Sequence, residues 1–354
     1  MSDLSRSRPA FGLNRWNWSS PTAFAHDVLR AEQLGWDYAF TPVNPLALWD
    51  PYVLLACAAQ RTSRIRLGTL IENAVLDHPV SVASSIATLD AVSNGRALLG
   101  YGIGDTAVRY LGKSPATVKD MESALRSVKR FLHGEPVEIE GGRRMSHARP
   151  VPVWMAAGGP RTLRMCGRLA DGVFVRVGRH PDNLRHAVAQ VHAGAEEAGR
   201  DPSDVKIALI FHTIMTDDAD EIRAIARSMA AGYYEYSPKL FRVPGFEWNG
   251  PPIEQLQQQV VPDFHHTEAL VEAGGLVNFL SDEVAESFSL FGSDEEIAQQ
   301  INDTLDLGFA VELVVPHPVP PPVPGQPVPR LMANGIRADD YTTWFAREII
   351  PRVR

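Results

Sequence analysis

Cysteine is nearly absent from this chain. Cys57 and Cys166 are the only two, each inside an apolar helical pattern, which excludes a disulfide framework and reads as buried thiols in a reducing compartment. Lysine is scarce as well, and the formal net charge is −8. Phosphate-backbone binders carry a basic stripe, so nucleic acid is not expected as a partner. Long hydrophobic runs are missing too. Nothing approaches the roughly 18 apolar residues that span a bilayer. The N-terminal "MSDLSRSRPAFGL" lacks the apolar core of a secretion signal. No membrane partner is expected, and the expected location is the cytoplasm. Metal-ligand spacing is also lacking. "DFHH" (263–266) sets two histidines side by side, and adjacent histidines seldom converge on one ion, so no metal is expected.

What the chain does contain is an alternation. Short apolar runs occupy 10–16, 38–43, 64–71, 96–104, 151–157, 172–178, 205–215 and 310–319. Most are continuous, as strands covered on both faces should be. Helix-patterned segments lie between them and carry start signals. Ser20-Pro21, Asp50-Pro51 and Asp77-His78-Pro79 open three, and Ser293 followed by three acidic residues opens the last. Strand–helix alternation repeated eight times predicts a closed parallel (β/α)8 barrel formed by 1–354 as one domain. No dinucleotide fingerprint follows the first strand, which weakens an open doubly wound sheet. Two stretches break the rhythm. An aromatic-rich insertion covers 238–290, before the last helix and strand, and "HPVPPPVPGQPVPR" (317–330) precedes a closing helix over 338–350. Either these are packing decoration or they form the wall and lid of a pocket.

One junction carries chemistry. "VPVWMAAGGPRTLRMCGRLADGVFVRVG" (151–178) runs from strand through Gly158-Gly159-Pro160 into a helix. Glycines let a ligand approach the backbone, proline wastes no N–H at a helix start, and the free first-turn amides favour an anion. Arg161 and Arg164 add positive charge. The junction reads as a phosphate cradle for a cofactor, or as a tight turn without a ligand.

"AAGGPRTLRMCGRLADGVFV" resembles the matching segment of the luciferase-like (bacterial-luciferase-type) oxidoreductases, in particular the coenzyme F420-dependent, methylenetetrahydromethanopterin reductase-like branch. "AEQLGWDYAF", "RTSRIRLGT", "HPVSVASSIATLDAVSNGRALLGYGIGD" and "FGSDEEIAQQINDTLDLGFAVELVV" fit the same family in colinear order, over roughly 10–235 and 290–316. The resemblance implies a TIM barrel binding F420 or FMN. It would place the phosphorylated tail at Ala156, Ala157, Gly158, Gly159, Pro160 and Arg161, and the ring near Leu70, Ile71, Gly102, Ile103 and Gly104. It also makes Leu70-Ile71 the counterpart of a non-prolyl cis bond that members often have. A homodimer through helices near the second and third strands is implied as well.

Asp105 stands where the branch has a proposed proton donor, although an aspartate there also serves as an N-cap. Many relatives carry an Asp-His pair after the second strand. This chain has Val43 and Asn44, and an asparagine can hydrogen-bond but cannot shuttle a proton. Substrate contacts are expected from Asn14, Trp16, Glu72, His212, His317, Phe246 and Trp248, with a hydrophobic or ring-bearing small molecule as substrate. The expected activity is hydride transfer with F420. The alternatives are an FMN-dependent monooxygenase, supplied with reduced flavin by a separate reductase, and a non-catalytic flavin-binding barrel.

Overall fold

The computed structural model describes residues 8–14, 20–104, 106–136, 142–320 and 340–354. Trp16 and Asp105, most of the proline-rich stretch and the start of the predicted closing helix lie outside them. Local signals in the chain account for the helix starts. The Ser20 hydroxyl accepts the Ala23 amide at 3.1 Å, Pro21 takes the first helical position, and Gly35 closes the helix at φ 93°. Asp50 and His78 cap the next two helices through the amides of Val53 and Val80. Ser293 and Glu296 form a reciprocal capping box.

The main elements are β1 (Ala10–Asn14), α1 (Pro21–Leu34), β2 (Tyr38–Thr41), α2 (Pro51–Ala59), β3 (Arg66–Thr69), α3 (Pro79–Val92), β4 (Ala97–Gly102), α4 (Val118–Leu132), β5 (Val153–Ala157), α5 (Pro160–Leu169), β6 (Gly172–Val175), α6 (Pro181–Glu197), β7 (Lys206–Ile214), α7 (Ala219–Tyr236), α8 (Asp294–Leu305) and β8 (Leu313–Val319). All eight predicted strands are present. β1, β2, β4 and β6 are buried at every position, which is why their sequences read as continuous apolar runs. Strand order is β8-β1-β2-β3-β4-β5-β6-β7, and β8 also pairs with β7, so the circuit closes as a (β/α)8 barrel. Pairing is parallel, with Ala10 opposite Leu313, Leu13 opposite Ala39, Ala39 opposite Leu67 and Leu99 opposite Val153. Two further strands, Glu72–Asn73 and Ser289–Leu290, have two residues each, too short to leave a pattern in the sequence.

By packing, the chain divides into two compact units: Gly12–Phe174 with Gln190–Ala208, and Val175–Ala189 with Leu209–Arg354 and the N-terminal residues to Phe11. We call them the first and second unit. The interior of the first is aromatic, with the Phe40 and Phe174 rings 5.6 Å apart edge to face and Trp154 5.4 Å from Phe174. Glu32 of α1 accepts the backbone amides of Ser63, Arg64 and Ile65 and so pins the segment entering β3. Those bonds hold its carboxyl below the usual range against the opposing effect of burial.

The aromatics of 238–290 form a core of their own in the second unit. Phe288 lies 4.8 Å from Tyr233 and 5.4 Å from Phe241, both stacked, and Trp248 stacks on Tyr234 at 4.1 Å. Tyr341, Trp344 and Phe345 are fully buried, and Phe345 meets Phe11 at 6.0 Å. The closing segment begins as α-helix at Tyr341–Trp344, then widens to a π turn over Phe345–Ile349 and tightens over Ile350–Arg352. Among the described residues, no helix is long and apolar enough to cross a membrane.

Candidate active site

Three strands of the first unit end together. The Leu70-Ile71 peptide bond after β3 is cis. The side chain of Ile71 reaches over the end of β4 so closely that a Cβ on Gly102 would lie 2.3 Å from its Cδ1 and 3.9 Å from the Ala156 methyl of β5. A side chain at 102 would therefore displace the end of the Ile71 side chain. Gly104 follows at φ 80° and packs on Asn73, whose Oδ1 accepts the amides of Val75 and Leu76 and closes that turn. The structure thus brings Ile71, Gly102 and Ala156 together, with Leu70 and Gly104 next to them in the chain.

Behind β5, Gly159 is the N-cap of α5 in extended conformation, makes no side-chain cap, and is followed by Pro160. A Cβ on Gly159 would meet nothing within 4 Å. The ten-residue helix therefore starts without a side-chain cap, and a helix start of that kind favours an anion. Arg161 beside them is exposed. Arg164 is not available in the way the sequence suggests, because it is ion-paired to Glu197 at 2.6 Å. At the end of β2, the Oδ1 of Asn44 is buried without a hydrogen-bond partner.

Glu72 takes a different position from the one expected of a cavity-lining residue. It is fully buried, its Oε1 accepts the Asn73 amide at 2.7 Å, and its Oε2 accepts the Tyr52 hydroxyl of α2 at 3.2 Å. Burial raises its pKa to about 7, with Asp77 and Asp50 adding to the shift and the two hydrogen bonds opposing it. Tyr52 and Tyr101 are pushed up in turn, chiefly by burial and then by Glu72. Neither tyrosine carries a signal in the sequence, since both read as ordinary apolar positions of α2 and β4.

In the second unit, His212 of β7 and His317 of β8 come within 5.6 Å ring to ring. They are joined by Arg176 and Tyr233, which carry no signal in the sequence, and by His265 of "DFHH". The His265 ring lies 4.8 Å from that of His212, its Nδ1 faces an Arg176 guanidinium nitrogen at 2.8 Å, and its Nε2 faces the Met229 carbonyl at 2.9 Å. Arg176 donates to Nδ1, so the proton sits on Nε2 and the ring is neutral. Burial drives all three imidazoles below the ordinary histidine range, His317 to about 3, and Arg176 reinforces the shift in each. "DFHH" is split between two tasks: His265 joins this cluster, while His266 pairs with Asp263 at 2.8 Å. Phe246 packs on Phe241 and His180, and Trp248 donates its Nε1–H to the Pro251 carbonyl. Among the described residues, no group of three His, Cys, Asp or Glu is placed to hold a metal ion.

The sequence model of the luciferase-like monooxygenase family matches residues 17–310. The chain belongs to that family and so to the luciferase-like oxidoreductases. Among relatives of the luciferase-like chain, the 5,10-methylenetetrahydromethanopterin reductase of Methanopyrus kandleri is 30% identical over 344 residues, covering 88% of this chain and 93% of the relative. An F420-dependent glucose-6-phosphate dehydrogenase of Intrasporangium calvum is 30% identical over 318 residues, covering 82% and 87%. The solved coenzyme F420-dependent tetrahydromethanopterin reductase of M. kandleri superposes with a TM-score of 0.67 at 25% identity, over 98% of this chain and all of that one.

The residues at the ends of β3, β4 and β5 fit a phosphorylated ring cofactor on their own geometry. The site has an open, uncapped helix start for an acidic tail. Ile71 lies against the bare backbone of Gly102, near the Ala156 methyl.

Proposed function

We propose that this luciferase-like chain is a coenzyme F420-dependent oxidoreductase that moves a hydride to or from a small organic substrate. The observation that carries the reading is the close meeting of Ile71, Gly102 and Ala156, with the α5 start that follows Ala156 in the chain carrying no side-chain cap. The amides of the α5 first turn, with Ala156, Ala157, Gly158, Gly159, Pro160 and Arg161, would hold the phosphorylated tail. Leu70, Ile71, Gly102, Ile103 and Gly104 would hold the ring, and the Asn44 Oδ1 would accept a hydrogen bond from it. When bound, the coenzyme supplies the hydride chemistry. The protein's share is orientation and a dry wall: Leu70 is buried and Ile71 covers Gly102 directly. Asn44 cannot take or give a proton, so protein acid–base chemistry does not run through the end of β2.

The test is a titration of the purified apoprotein with F420 and with FMN separately, followed by deazaflavin fluorescence and flavin absorbance. Saturable binding of F420, with reduction or oxidation of the bound deazaflavin on adding substrate, is expected. Binding of FMN alone would move the chain to the monooxygenase reading, with its separate flavin reductase. A bound chromophore that never turns over would make it a carrier.

The same unit presents an apolar face. Leu46, Trp49, Val53 and Val80, around the starts of α2 and α3, are each 40% or more exposed. Exposed large apolar groups around the starts of two helices that pack together are suited to an interaction surface, and we propose that a second copy of this chain covers them. Sedimentation at micromolar concentration should show a dimer, and Trp49→Glu should shift it to monomer. A wild-type monomer would refute the assignment.

A further inference from the structure

In the second unit, His212 of β7 and Ser289 of the short strand Ser289–Leu290 are direct partners in a parallel register. Both side chains are buried, at 4% and 1% exposure. The Nδ1 of His212 and the Oγ of Ser289 have no hydrogen-bond partner. Native proteins pair nearly all their buried polar groups, so two orphans on adjacent strands at the same level point to a group from outside the chain.

The charge around them selects that group. The Arg176 guanidinium lies over the faces of Tyr233 and Tyr236 at 5.8 and 5.6 Å and contacts His265, whose ring is 4.8 Å from His212. Its positive charge opposes protonation of His212, His265 and His317 alike. The neighbouring carboxylate, Asp263, accepts the amides of His265 and His266 and pairs with the His266 ring; it offsets part of the field at His265, while the charges acting on His212 all oppose its protonation. A cation is repelled from such a place, a neutral molecule gains nothing from the field, and an anion is attracted. The serine hydroxyl is a donor, and a neutral imidazole has one ring N–H that can sit on Nδ1.

We propose that His212 and Ser289, under the positive field of Arg176, form a receptor for an anionic oxygen of a small molecule, a carboxylate or a phosphate group. This goes beyond the coenzyme reading above. As an anion site it stands without that reading. Both polar atoms are buried, and the rings of Tyr233 and His317 lie 5.5 and 5.6 Å from that of His212, so a single anionic group of a small molecule fits the place better than a polyanion.

The test uses the full chain without coenzyme and two probes, benzoate and inorganic phosphate, titrated while the histidine ring resonances are followed by NMR. One probe should shift the His212 signal saturably and move its protonation toward the ordinary range, because an anion favours the charged imidazole. Benzoate alone assigns a carboxylate and phosphate alone a phosphate group. Ser289→Ala removes a hydroxyl without adding volume and should weaken binding at least tenfold with the melting temperature retained. His212→Gln, which keeps a side-chain donor but not the ring, should weaken it as well. Absence of a saturable shift with both probes overturns the proposal, as does a shift that Ser289→Ala leaves undiminished. Failure of the F420 titration with the anion shift intact would remove the coenzyme reading and leave the receptor standing.

Discussion

Glu72→Gln should stabilise the protein by about 3 kcal/mol at pH 8 and by almost nothing at pH 4. The folded chain raises the Glu72 carboxyl from an ordinary value of 4.5 to about 7. Between those values the native state keeps a proton that the unfolded chain releases, so wild-type stability falls as pH rises through this window and levels off above it. A shift of that size corresponds to about 3 kcal/mol. Glutamine carries no charge to desolvate, and its carbonyl oxygen can still accept the Asn73 amide or the Tyr52 hydroxyl. Urea unfolding of both proteins at pH 4, 6 and 8 measures the difference. A gap that does not grow with pH, or that favours the wild type at pH 8, would show that Glu72 is solvated or paired with a cation in solution.

Gly159→Asp is expected to cost roughly 100-fold in coenzyme affinity, about 3 kcal/mol, while leaving the fold as stable as before. The two effects separate because of the local geometry. Gly159 is at φ −83° and ψ 145°, a conformation any residue adopts, and an added Cβ meets no atom within 4 Å. Aspartate is among the best N-caps, so it should satisfy first-turn amides and hold or raise the melting temperature by up to about 1 kcal/mol of stability. Those amides are the ones an acidic tail would use, and a carboxylate there repels what they attract. Gly159→Asn occupies the amides without the charge and should lie between the two. Deazaflavin titrations beside melting curves for the three proteins decide it. Undiminished affinity in Gly159→Asp would place the tail elsewhere.

The barrel was legible for local reasons. Strands buried on both faces write themselves as unbroken apolar runs, and Ser20-Pro21 and Ser293 announce helix starts through hydrogen bonds that span three residues. Val153–Ala157 running into Gly159-Pro160 was legible in the same way, as was Leu70-Ile71 through the family resemblance. The reading of Arg164 went astray because its partner, Glu197, lies on another helix. Tyr52 escaped notice because nothing near it in the chain says that it faces a buried carboxylate. Phe246 and Trp248 were recognisable as aromatics, but their neighbours were not.

By itself, the amino-acid order determined the strand and helix alternation, the parallel circuit it closes into and the amide-bearing turn before α5, since each depends on periodicities and caps a few residues long. Tertiary structure decided the proton affinity of Glu72 and the gathering of Arg176, His212, His265, Ser289 and His317 from positions spread over much of the chain. Removal of water sets a pKa or leaves a polar atom without a partner, and that removal happens only when distant segments pack.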